Sequence, residues 1–502
     1  MGRIRVSTAG VAVAAFWAIA VLGAAFLPMT DPDTWWHIRV GREILETGAV
    51  PDVDRWSIAG AGRPWVSQDW TSNILMAALY AAGEWGPTLV SIVYGLMTLA
   101  AIGLLWDAIS IRDRSIGWLA RSAWLLIGLI LAAPVLGARV QVVDLLLATA
   151  SLNVLWRYIQ VPRAWHLAAL PLIAVAWVNL HAGFPLLFLL GGAVIVGELV
   201  DAWLRSAPGG IATRARALGA LIGSLAVAAA ALSLNPNGPA IYTYPFDTLG
   251  IDALASFVGE WQPASLATPA GQLLAAFVVV GVGPALLLGR DRLRTADGLM
   301  LLGLTFMAVT ALRFVLVAGP IGATVACLAV GPALSASGIG RSAAGMLTRF
   351  GRVPAGGRGT VNAVLASLVL VAGIGIGLAR VTPGAQHRAI SEVLPVAAVD
   401  WLIEHDPGVR VFNRYEWGGY LGLIRPDRQI FIDGRADIYG DEIILPYVEV
   451  ISVNQDPGAY LDRHAIDHVL YPADSTLGHW LEESPAWRAV YEDEVASVWV
   501  RD

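Results

Sequence analysis

Apolar residues in this chain come in long blocks, not in the short alternating or three-and-four spacing of a soluble fold. Eleven blocks approach the roughly 20 residues that cross a bilayer as a helix. They lie near residues 8–29, 87–108, 116–134, 140–158, 165–179, 184–204, 217–234, 271–289, 297–311, 314–334 and 361–380. The block at 140–158 carries Asp144 and Asn153, and Arg313 splits the nearly continuous pair at 297–334. The pattern predicts a polytopic α-helical membrane protein with about 11 transmembrane helices. The first block is too long for a signal peptide's apolar core and no clean cleavage site follows it, so it reads as a retained anchor.

Two stretches break the pattern. Residues 30–86 form a long polar loop with two helical segments, Trp36 to Glu46 and Asn73 to Ala82, suited to lying at the membrane interface. Asp69 stands where it could cap the second of them. From about residue 385 the chain turns polar and alternates strand-like with helical runs, as a small α/β domain would. Strand-like runs are 409–412, 429–432, 467–471 and 495–500; helical runs lie near 395–404, 417–424, 441–453, 457–464 and 475–483. The expected division is residues 1–384 as the membrane part and 385–502 as an extracytoplasmic soluble domain.

Charge supports this reading. Only 14% of residues are charged and 56% are hydrophobic, which excludes an ordinary soluble enzyme. Alternate loops hold Arg3 and Arg5; Arg112, Arg114 and Arg121; Arg157 and Arg163; Arg205, Arg214 and Arg216; Arg290, Arg292 and Arg294; and Arg341, Arg349, Arg352 and Arg358. The positive-inside rule assigns those loops and the N-terminus to the cytoplasm, and an odd number of crossings puts the C-terminal part outside. That part holds 21 Asp and Glu against 9 Arg, so nucleic acid is not an expected partner. Absence of lysine with abundant arginine and alanine suggests a high-GC bacterium. A lone cysteine, Cys327, excludes an intramolecular disulfide and a cysteine-built zinc site.

Candidate chemistry gathers on the outer face. Residues 31–39, DPDTWWHIR, follow the first helix directly. Asp33 or Asp31 could act as general base on a hydroxyl, Trp35 and Trp36 could stack on a sugar or anchor the interface, and Arg39 could hold a phosphate. His37 stands between them. Further polar groups on that face are Asp69 and Trp70, Arg139, Asn179 and His181, Asn235, Glu260 and Arg313. Each also has an ordinary structural role open to it: a cap, a turn, or a satisfied helix end. In the C-terminal part, Asp433 and Arg435 follow a strand and form either a weak site or a salt bridge beside a glycine turn. No metal ligand set stands out, and no cofactor is expected, with a divalent cation such as Mg or Mn left open.

The arrangement resembles the integral-membrane glycosyltransferases of the GT-C type. Asp33, Trp35 and Arg39 are similar to the first acidic motif of oligosaccharyltransferase catalytic subunits, and Tyr415 to Tyr420 (YEWGGY) is faintly similar to their W-W-D-Y-G signature. The outer loop at 134–139, PVLGAR, lacks the second acidic motif of those enzymes. The likeness is therefore nearer the protein mannosyltransferases and arabinosyltransferases. It implies a hexosyl- or pentosyltransferase that takes sugar from a polyprenyl-phosphate donor to a lipid, glycan or protein acceptor. On it, Asp33 takes the catalytic-acid position with Asp31 as competitor. Arg139, Arg313 and Arg39 would face the lipid phosphate, and His37, Asn179, His181 and Glu260 the sugar or acceptor. Two other readings stay open: a lipid or solute transporter or flippase, and a non-catalytic envelope assembly protein.

Overall fold

The computed structural model describes residues 6–205, 210–289, 291–336, 355–405 and 408–502. Arg3, Arg5, Arg290, Arg341, Arg349 and Arg352 lie outside them. Every apolar block is a helix. The first is α1 (Thr8–Ala25). The loop at 30–86, the outer loop of the charge-based reading, then supplies α2 (Asp33–Thr47) and α3 (Trp70–Tyr80). There follow α4 (Gly86–Arg112), α5 (Trp118–Ala132), α6 (Val142–Gln160), α7 (Ala169–Leu180), α8 (Pro185–Arg205) and α9 (Gly210–Ala231). The bundle closes with α10 (Pro269–Leu288), α11 (Thr295–Thr310), α12 (Val315–Ala336) and α13 (Ala355–Ala379).

Among the described residues, 9 helices are long and apolar enough to cross a membrane, and the chain is a multi-pass membrane protein. The two remaining blocks became the shorter apolar helices Ala164–Leu180 and Thr295–Thr310. Polar contacts show how these two run. At one end of the bundle, Arg112 at the end of α4 pairs with Asp297 at the start of α11, at 2.6 Å. Beside it Arg294 meets Glu198 of α8 at 2.8 Å, and Arg157 of α6 meets Asp107 of α4. At the other end, α7 closes on the outer loop: Ser72 donates to the carbonyl of Leu180 at 2.6 Å. There too, Ala264 N–H donates to Val309 O near the end of α11, at 3.0 Å. Both short helices therefore pass between the same two ends as their neighbours. Arg112 and Asp297 are almost wholly buried, and Arg112 also lies over Trp156 at 4.8 Å. A charge at that depth is tolerable only when it is paired.

The C-terminal segment folds against the outer loop. It contains α14 (Pro383–Ser391), α15 (Val396–His405), α16 (Gly418–Ile424), α17 (Ala436–Ile451), α18 (Pro457–Arg463) and α19 (Thr476–Glu483). Its sheet has strands β1 (Val411–Asn413), β2 (His468–Tyr471), β3 (Trp487–Glu492) and β4 (Ser497–Arg501), in the order β1-β2-β4-β3. β1 and β2 are parallel, with Phe412 opposite Val469, and the other two pairs are antiparallel. The apolar run at 429–432 is not a strand of this sheet. Ile430 makes single bridges to Val411 and to Ser57 of the outer loop, so it splices the loop to the sheet edge. Strand β3 has no counterpart in the sequence reading: its exposed middle gave no strand-like run.

Trp36, Val40 and Ile44 of α2 share one apolar cluster with Phe412, Phe431 and Tyr447. Gln386 of α14 adds a polar staple to the bundle. It accepts from the Met29 amide at 2.9 Å and donates to Ser91 Oγ of α4 at 2.7 Å.

Candidate functional site

α2 starts where the chain leaves the first membrane helix. Asp31 accepts the Asp33 backbone N–H at 3.0 Å, tying down a helix N-terminus that would otherwise have free donors. Within α2, Asp33, Trp36 and His37 are three and four positions apart and so share a face. All three line a cavity of about 290 Å³ at the loop end of the bundle. Asp69, Asp144, His181, Tyr244, Glu260, Arg313, Tyr415, Arg435 and Asp437 line it too.

Arg139 is the electrostatic centre of one wall. Its guanidinium meets Asp31 at 3.1 Å and Glu260 at 2.7 Å. Glu260 in turn faces Arg313 at 3.8 Å, whose guanidinium lies 4.1 Å over the ring of Trp261. Burial works to raise Glu260, but Arg139 and Arg313 hold it below the ordinary carboxylate value. Asp33 has the opposite fate. Burial, with the negative charges of Asp31 and Glu260, pushes its carboxyl up to about 8, against the pull of Arg139 and the Trp36 indole N–H. That indole donates to Asp33 Oδ1 at 3.2 Å.

Two histidines face the same space, each held by a carboxylate. His37 Nδ1 lies 3.2 Å from Asp69, and His181 Nδ1 lies 2.7 Å from Asp144. The Trp177 indole donates to the other oxygen of Asp144 at 2.7 Å. Tyr244 donates to Asp437 at 3.2 Å, and burial pushes Asp437 up to about 6.

The C-terminal segment supplies one wall of the cavity. Gly434 lies directly on Asp33: a Cβ there would come within 2.0 Å of Asp33 Oδ1. Its neighbours hold the loop in place. Arg435 Nε donates to both oxygens of Asp433 at 2.9 Å, and Nη2 donates to Asp54 of the outer loop at 3.0 Å. The guanidinium also sits over Trp56 at 4.2 Å and Trp65 at 4.9 Å.

This is the arrangement of a known architecture. The chain resembles the apo crystal structure of the Archaeoglobus fulgidus oligosaccharyltransferase, with a TM-score of 0.51 and 12% identity over 93% of this chain and 69% of that one. The chain has the GT-C fold. Other similar structures are ArnT from Cupriavidus metallidurans in the apo state and the arabinofuranosyltransferase AftD from Mycobacteria. The first has a TM-score of 0.49 and 16% identity, over 96% of this chain and 95% of that one. The second has a TM-score of 0.41 and 14% identity, over 100% of this chain and 40% of that one. No family model and no curated protein sequence matches the chain.

Within this GT-C fold, the residues singled out in the sequence divide into three groups. Asp33, His37, Asp69, His181, Glu260, Arg313 and Arg435 line the cavity, while Asp31 and Arg139 are bonded into its wall. A second group supports it from behind. Asn179 accepts the Trp70 indole N–H at 2.7 Å, and Asn235 donates to the carbonyls of Gln68 and Val178 at 2.9 and 2.7 Å. Asp433 grips Arg435. Arg39 stands apart: it lies 4.3 Å over Trp56 and donates to Pro426 O at 3.0 Å, facing the C-terminal segment and not the cavity. Trp35 is packed edge-on between Tyr80 and Tyr420, where no sugar can reach it. Asp69 makes no side-chain cap of α3, because its oxygens are taken by His37 and Asn73.

Asp144, Tyr244, Tyr415 and Asp437 were missed as site residues. Asp144 carried a usable signal, an ionisable group inside an apolar block, and Tyr415 opens the YEWGGY stretch. Among the described residues no group of three or more His, Cys, Asp or Glu is arranged to hold a metal ion.

Proposed function

We propose that the chain is a membrane glycosyltransferase of the bacterial cell envelope. It moves one hexosyl or pentosyl unit from a polyprenyl-phosphate donor to a lipid, glycan or protein acceptor on the extracytoplasmic face. The reading takes residues 1–384 as the membrane part, with a cytoplasmic N-terminus, and 385–502 as the extracytoplasmic domain. The observation that carries it is the junction of Asp33 with the Arg139–Glu260–Arg313 chain at one cavity at the loop end.

Such a site can run an inverting displacement. The acceptor hydroxyl gives its proton to ionised Asp33, and its oxygen bonds to the anomeric carbon. The bond from that carbon to the phosphate oxygen breaks, and the phosphate leaves with the electron pair. Arg313, held by Trp261 and only loosely by Glu260, is the cation best placed to meet the negative charge that grows there. Arg139 is committed to Asp31 and Glu260 and instead tunes Asp33. The cavity's polar groups, Asp33, Asp144, His181, Glu260 and Arg313 among them, lie at helix ends, whereas a transporter holds its substrate near mid-membrane. No step in this scheme calls on a metal.

The deciding experiment is mass spectrometry of envelope glycolipids and glycans from cells carrying the wild type, Asp33→Asn, or a deletion. Expected is the same missing sugar and accumulated lipid-linked precursor in Asp33→Asn and the deletion. An Asp33→Asn strain that matches wild type while the deletion has an effect would remove Asp33 as base. Unchanged glycans in the deletion would remove the transferase reading.

A further inference from the structure

We propose that His37 is a hydrogen-bond acceptor of fixed tautomer that takes a carbohydrate hydroxyl at Nε2, and that Asn73 is the residue that positions it. The inference rests on the transferase reading above and names a contact within that same cavity.

The tautomer follows from the partners. His37 Nδ1 faces two oxygens, Asn73 Oδ1 at 2.6 Å and Asp69 Oδ2 at 3.2 Å. Asn73 is oriented by its own amide, whose Nδ2 donates to Asp69 Oδ1 at 3.1 Å, so its oxygen is the atom turned to the imidazole. An amide oxygen only accepts, and Asn73 Oδ1 is the nearer of the two, so Nδ1 must carry the hydrogen. Burial lowers the pKa of His37 against the opposing pull of Asp69, which favours the neutral ring. A neutral ring protonated at Nδ1 has a lone pair at Nε2. Nε2 has no hydrogen-bond partner among the described residues, and His37 lines the cavity. The ring cannot turn away. Trp36 covers it at 3.5 Å between centroids, and α2 and α3 are so close that a Cβ on Gly41 would lie 1.9 Å from Asn73 O.

An acceptor-only nitrogen in a buried cavity selects for a donor. A substrate hydroxyl satisfies it, whereas a substrate without that hydroxyl leaves it unpaired, which sites of this kind use for discrimination. His37 stands one helical turn from Asp33, about 5–6 Å between Cβ atoms. One sugar ring spans that gap, so the ring bound at His37 presents its reacting centre to Asp33.

The test uses two substitutions that divide the imidazole. The amide oxygen of His37→Gln reaches the place of Nε2, while that of His37→Asn reaches only the place of Nδ1. The full chain is purified into nanodiscs and supplied with the polyprenyl-phosphate fraction of a deletion strain's lipid extract and that strain's envelope. Product sugar is then measured by mass spectrometry. Expected is that His37→Gln keeps at least tenfold more product formation than His37→Asn. Equal loss, no loss, or greater activity in His37→Asn overturns the proposal. A raised KM for the lipid fraction in His37→Asn assigns the hydroxyl to the donor sugar, and an unchanged one assigns it to the acceptor.

A second measurement needs no turnover. Nitrogen NMR of 15N-histidine-labelled protein, with the His37 signal identified by its loss in His37→Gln, reads the tautomer directly. Expected is hydrogen on Nδ1 alone at pH 7, becoming mixed in Asn73→Leu. Hydrogen on Nε2 in the wild type overturns the proposal even if the chain proves to be a transferase.

Discussion

Gly434 and Asp33 are 401 positions apart in sequence, yet the Cα of one leaves no room for a methyl group beside the carboxylate of the other. The loop that follows β1 and α16 is thus the roof over the candidate base. Gly434→Ala must move either the roof or the carboxylate. Overpacking of this kind costs about 1–3 kcal/mol. Because the displaced group is the reacting one, activity is expected to fall at least about tenfold, and a misplacement near 1 Å can cost far more. The check is product formation in membranes normalised to folded protein, with Gly384→Ala, on an open surface, as the control that changes nothing.

The pH dependence follows from Asp33 being raised to about 8. A base works only when ionised. At pH 7 about one tenth of Asp33 is ionised, each unit below that costs another factor of about ten, and the rate levels off above pH 8. Glu260→Gln removes one of the negative charges that raise Asp33, so the rising limb should move to lower pH. A pH–rate profile of both proteins checks this. Stability runs the other way. Asp33 binds its proton more tightly folded than unfolded, so its contribution favours the fold at low pH and is lost as pH rises from about 4 through 8. Asp33→Asn should flatten that part of a Tm-against-pH curve.

Arg313 stands at the point where the leaving phosphate gains charge. Arg313→Ala should lower kcat by about 10²–10³, the usual cost of removing one such donor. Arg313→Lys should recover only part of it, since a lysine loses the planar stacking on Trp261. Single-turnover kinetics separate this from a binding defect. An Arg39→Ala enzyme should keep its chemical step, because Arg39 points into the C-terminal segment.

Arg435 joins Asp54 and Asp433 where all three are buried. Arg435→Met leaves two carboxylates buried without their cation, and breaking such a set costs about 3–5 kcal/mol. The fall in Tm should be plain in a thermal scan of the detergent-solubilised chain. Arg414→Met breaks the half-exposed pair with Glu416 and should cost no more than about 1 kcal/mol.

The helices could be read from the sequence because crossing a bilayer imposes length and apolarity on the segment itself. Even α7 and α11, which fall short of the usual span, showed themselves as apolar blocks between polar ends. The face on which chemistry gathers was also readable, because ionisable groups such as Arg139, His181 and Arg313 occur only at helix ends there. Which of them touch was not. Arg139 reaches Asp31 and Glu260 across two loops, and nothing local to any of them encodes the meeting. Nothing in the residues around Tyr244 and Asp437 marks either as lining the cavity of Asp33. Arg39 lies in the strongest local motif of the chain, yet the helical phase turns it from Asp33 toward Trp56. Run 429–432 has the composition of a strand, but its partners are single residues on two different segments.

The roof at 431–440 and the residue it covers at 33 are separated by the whole run of helices from α4 to α13. A ribosome will have delivered most of the chain to the membrane before Gly434 exists to meet Asp33. Through that interval Asp33 lacks the cover of Gly434. The burial of the candidate base is thus completed only as the last segment docks, and a truncated chain keeps Asp31, Arg139 and Glu260 beside Asp33 without that cover.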